Sequence, residues 1–138
     1  MFSVLADINW LAVLIAAVAS FLIAGAWFGA VIAKPYAVAL GREGAPAPAS
    51  TPVSTFGPLV CILVTLLTSA VLVEALDITG TGDAIVFGLL VGVGYLSAMT
   101  FQIAINPNFP RPLYYGVLNA PYFVITGVLS SVILVLMR

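Results

Sequence analysis

Polar and charged positions in this chain are confined to short breaks between four long apolar runs, Asn9–Ala33, Gly57–Val73, Ala84–Ile105 and Leu113–Met137. No run contains a charged residue, and each has about the length a helix needs to cross the hydrocarbon of a bilayer. The pattern predicts an all-α integral membrane protein, a single four-transmembrane-helix bundle over residues 1–138. The helices are expected at about 8–33, 57–76, 83–105 and 112–137. Between the first two, residues 34–56 form a Pro/Ala-rich loop, expected to be mobile because such composition favours extended, unpacked chain. The opening run lacks the leading Lys or Arg of a signal peptide and is longer than a signal's apolar core, so it reads as a retained first span.

Composition strengthens this reading. Hydrophobic residues make up 63% of the chain, charged residues 7%, and the mean hydropathy is +1.25. A soluble domain needs far more charge to cover its surface. Three of the four basic residues fall on one side, against one, Arg138, on the other. Lys34, Arg42 and Arg111 fall in the first and third loops, whereas Asp7, Glu74, Asp77 and Asp83 fall on the opposite side. Basic loops stay in the cytoplasm, so both termini are expected on the same, outer side of a bacterial inner membrane. Trp10 and Trp27 lie 17 residues apart, about 25 Å of helix, and mark the two interfaces. Tyr36, Tyr114 and Tyr115 belong to the inner one.

Several chemistries are excluded by what is missing. Without histidine there is no His base, His metal ligand or Ser-His-Asp set, and the single Cys61 makes neither an internal disulfide nor a thiolate cluster. No basic stretch exists to hold nucleic acid, and the net charge is −1. No cofactor or metal site and no enzymatic activity is expected. Glu74 is expected to be interfacial and solvated. Asp7 and Asp83 are the expected caps of the first and third helices.

Helices in lipid associate through small residues that let backbones approach. Every predicted helix carries such positions: Gly25 and Gly29 in the first, Gly57, Cys61, Thr65 and Ser69 in the second, Gly88 and Gly92 in the third, and Gly116, Gly127 and Ser131 in the fourth. Four short helices cannot bury all of these against one another. One or two are expected to face a second copy or another membrane protein. Pro121 interrupts the fourth helix, where the lost N–H predicts a kink. Intramembrane polar residues are candidate functional groups. Gln102 and Asn106 share a predicted face with Tyr95 and Met99, and Asn119 and Tyr122 are expected to meet it near Lys34, giving an inner-half polar site.

The opening Asn9-Trp10, the Gly25-to-Gly29 turn around Trp27-Phe28, the following Lys34, and the Arg111-Pro112 step before Asn119 resemble an uncharacterised bacterial membrane family, domain of unknown function 1761. The resemblance extends over nearly the whole chain. It implies a four-helix membrane protein and brings no reaction, cofactor or substrate. The expected function is therefore assembly, as a homo-oligomer or an accessory subunit in the bilayer. The alternative is an oligomeric small-solute or ion transporter lined by the inner polar residues.

Overall fold

The computed structural model describes residues 2–46 and 48–138, the side chains of residues 2 and 3 apart; Ala47 of the first loop lies outside the described residues. It contains four helices long and apolar enough to cross a membrane, and the described residues include no strand. We label them α1 (Trp10–Val31), α3 (Pro52–Ala75), α4 (Thr81–Ala104) and α5 (Pro112–Leu136), with a short α2 (Ala33–Ala39) after α1.

The helix ends follow from local hydrogen bonding and correct several expectations. Asn9, not Asp7, caps α1: its Oδ1 accepts from the backbone N–H groups of Leu11 (3.0 Å) and Ala12 (3.2 Å). A cap must directly precede the first helical residue, and Asp7 stands too early, closing the 3-10 turn Phe2–Ala6. The Asn9 amide also donates to the Met137 carbonyl, tying the start of α1 to the end of α5. Helix α4 begins at Thr81 behind Gly80, so Asp83 sits inside the first turn, where a carboxylate favours the helix dipole without capping. Residues 34–56 hold more structure than a mobile loop. Helix α2 occupies their start, and a reciprocal Thr51–Ser54 capping box with Pro52 at the first turn starts α3 before Gly57. Gly41, at φ +67, turns the chain after α2 and meets the Pro110 ring of the third loop.

Helix α5 is central and packs against each of the other four. Its contact with α4 is backbone on backbone. A Cβ at Gly88 would fall 2.5 Å from Val128 Cα, and one at Gly92 would fall 2.7 Å from the Phe123 carbonyl oxygen. From the other side, a Cβ at Gly127 would fall 2.7 Å from the Gly88 oxygen. These three glycines, together with the buried Gly116, where a Cβ would run into the Phe101 ring, are the internal use of the glycine pattern. Gly25 and Gly29 are different, since both are exposed and no atom lies within 4 Å of a Cβ at either.

Helix α5 runs without a break from Pro112 to Leu136, with Pro121 inside it. One residue from the carbonyl freed by that proline, the Leu118 carbonyl accepts from the Trp27 indole at 3.0 Å. Two spans contain wide π turns, at Trp27–Val31 and Leu90–Ser97. The second is held by Ser97 Oγ, which donates to the Gly92 carbonyl five residues back at 2.7 Å. At the opposite end of the bundle Arg138 donates to Glu74 and Asp77, both at 2.9 Å. The Glu74 side chain is only 10% exposed, so it is paired and largely covered where the sequence suggested a solvated acid.

Candidate functional site

The π turn in α4 decides where the predicted polar residues fall. A π turn adds one residue to the helix, and every later side chain rotates by about 100° relative to a straight helix. The bundle-facing positions run Gly88, Gly92, Ser97, Phe101, Ala104, with one step of five at the π turn. Tyr95, Met99 and Gln102 are thereby turned outward and exposed. Asn106 folds onto its own turn, donating to the Ile103 carbonyl and accepting from Asn108 N–H at 2.8 Å. Asn119 is buried at 4% exposure and donates to the Tyr115 carbonyl of its own helix at 2.7 Å. Lys34 is exposed on α2. The structure thus brings Asn119 and Tyr122 into the bundle and leaves Gln102 and Lys34 outside it.

Around Tyr122 an aromatic group closes one end of the bundle. The Phe28 ring packs edge-on against both Tyr36 and Tyr122, at 5.4 and 5.2 Å between centroids. Tyr36 donates its hydroxyl to that of Tyr115 at 3.3 Å. Tyr36 lies beyond the first span, and burial pushes its phenol well above the ordinary value, with the Tyr115 hydroxyl adding and Arg42 opposing.

A crevice of about 610 Å³ lies between α1, α3 and the α4–α5 pair. It runs along α3 from Ser54 to Ser69, a separation of 15 residue steps that corresponds to about 22 Å. Phe21 and Gly25 of α1 face Pro58 and Cys61 of α3 across its rim, and all four are exposed. The crevice therefore opens through the side of the bundle, between α1 and α3. Small-residue positions of α3 that the sequence assigned to helix packing, Cys61, Thr65 and Ser69, line this space instead.

Buried hydroxyls line it as well. Thr126 and Ser130 donate to carbonyls of their own helix, at 2.8 Å to Tyr122 and 2.6 Å to Thr126. Ser20 at 4% exposure, Ser69 at 6% and Tyr122 at 6% have no hydrogen-bond partner among the described residues. Every fully enclosed side-chain oxygen or nitrogen there has a partner. These three hydroxyls, lining residues of the crevice, hence open onto it. The sequence pattern placed Ser69 in a packing stripe and assigned Ser20 to no functional site; the available signal was hydroxyls recurring on three different spans.

A family model covers residues 11–135, nearly the whole chain. The chain belongs to the family described as Protein of unknown function (DUF1761). That membership agrees with the resemblance carried by the Asn9-Trp10, Gly25–Gly29 and Arg111-Pro112 motifs. Neither the curated proteins nor the solved structures include a match to the chain.

Proposed function

We propose that this DUF1761 chain is a four-span protein of a bacterial cytoplasmic membrane, with both termini outside, that acts by assembly rather than by catalysis. One observation carries the reading. Of two glycine pairs at helical spacing, Gly88/Gly92 is consumed in the α4–α5 contact, whereas Gly25/Gly29 looks outward with open space above it. Val18 and Leu22 continue that outward face of α1. In lipid, where apolar side chains gain nothing from leaving the solvent, an open glycine face is where a second helix packs closely. The partner is a second copy or another membrane protein.

The test is native mass spectrometry of the tagged protein extracted in mild detergent, wild type against Gly25→Leu/Gly29→Leu. A discrete oligomer or a fixed foreign subunit that the double variant loses supports the reading. A monomer in both cases refutes it. No atom crowds a Cβ at either position, so the variant is expected to retain its monomer fold, which circular dichroism checks.

A further inference from the structure

The crevice has a shape that selects its occupant. Its total empty space of about 1510 Å³ spread over about 22 Å gives a mean cross-section of about 70 Å². A helix with its side chains is about 10–12 Å across, which corresponds to roughly 80–110 Å². A helix from a partner does not fit inside; a flat ring or a single hydrocarbon chain does. The lateral rim between α1 and α3 admits a molecule already dissolved in the bilayer.

The chemistry narrows the choice further. A plain acyl chain would set methylenes against Ser20 and Ser69, and an unpaired hydroxyl in hydrocarbon costs free energy. The occupant must bring oxygen to a depth where ordinary lipids carry none. Phe21, Phe28 and Phe123 line the same space and suit a planar ring. We propose that this crevice binds a lipophilic quinone, a flat carbonyl-bearing ring that enters from the bilayer, accepts hydrogen bonds from Ser20 and Ser69, and leaves its apolar tail at the rim beside Cys61. The inference rests on the membrane placement proposed above; Gly25 belongs both to the crevice rim and to the proposed assembly face, so binding is tested in the chain with Gly25 and Gly29 unaltered.

The experiment titrates a fully substituted benzoquinone with a decyl tail into the full chain in detergent micelles. Trp10→Phe leaves Trp27, next to Phe28, as the fluorescent reporter. Saturable quenching is expected, with decylbenzene failing to displace the quinone at equal concentration. Ser20→Ala/Ser69→Ala should weaken binding by about ten-fold, the combined effect of two neutral hydrogen bonds. In the otherwise unaltered chain the quinone should also slow alkylation of Cys61, a readout that requires no serine variant to fold. Quenching that rises linearly with micellar quinone overturns the proposal. So does equal displacement by decylbenzene, preferential displacement by a long-chain fatty acid, or undiminished binding by a folded double-serine variant.

Discussion

Adding a single methyl group at Gly88 separates the internal glycine face from the outward one. In Gly88→Ala the new Cβ would stand 2.5 Å from Val128 Cα and 2.6 Å from the Gly127 carbonyl oxygen. Carbon atoms pack best at about 3.5–4.0 Å, so α4 and α5 must part by about 1 Å. Both obstructing atoms are backbone, and no rotamer relieves the clash. A gap of that size forfeits a quarter to a half of each contact along the seam. Overpacking costs typically about 1–3 kcal/mol, and this seam belongs at the upper end. Alanine returns about 0.8–1.0 kcal/mol in helix propensity, which leaves a net loss of about 2 kcal/mol. Gly29→Ala meets nothing within 4 Å and keeps only the gain. The two variants should therefore differ by about 3 kcal/mol. Reversible unfolding in mixed dodecylmaltoside–SDS micelles, followed by circular dichroism, measures the difference. Equal midpoints for the two variants would refute the reasoning.

Three further outcomes follow from named contacts. Asn9→Ala removes the α1 cap and the tie to Met137, and should cost about 1–2 kcal/mol in the same unfolding assay. Ser97→Ala deletes the bond that holds the π turn and should cost about 1 kcal/mol, with faster amide hydrogen exchange localised to Leu90–Ser97. Tyr36 has a folded-state pKa above its unfolded value of 10.0. Its unfolded form loses the proton first, so the associated stability is intact below that pH and declines as pH rises above it. Unfolding midpoints from pH 9 to 11 should fall in wild type and fall less in Tyr36→Phe.

Much of this architecture is legible in the sequence because a bilayer-length helix is a one-dimensional signal. Uncharged runs, counted by length, locate α1, α3, α4 and α5 to within a few residues. The starts were misjudged where a short-range hydrogen bond decides: Asn9 over Asp7, Thr51 with Ser54 ahead of Gly57, Gly80 ahead of Asp83. The glycine pattern is legible too, although not its division into inner and outer faces, which depends on how α4 meets α5. The polar face of α4 was not legible. Its periodicity assumes 3.6 residues per turn, and the π turn closed by Ser97 and Gly92 carries Gln102 to the outside. The crevice hydroxyls were visible as residues but not as a group, because the meeting of Ser20 and Ser69 around one space is a property of three helices together.

The most direct test of assembly through α1 is site-specific photocrosslinking in the native membrane. Benzoylphenylalanine replacing Leu22 samples the outward glycine face, and the same probe replacing Ile103 samples an exposed position on α4. The account predicts one adduct of discrete mass from position 22, equal to a dimer or to a fixed hetero-pair, and none from position 103. Adducts of equal yield at both positions, or none at position 22, would contradict it.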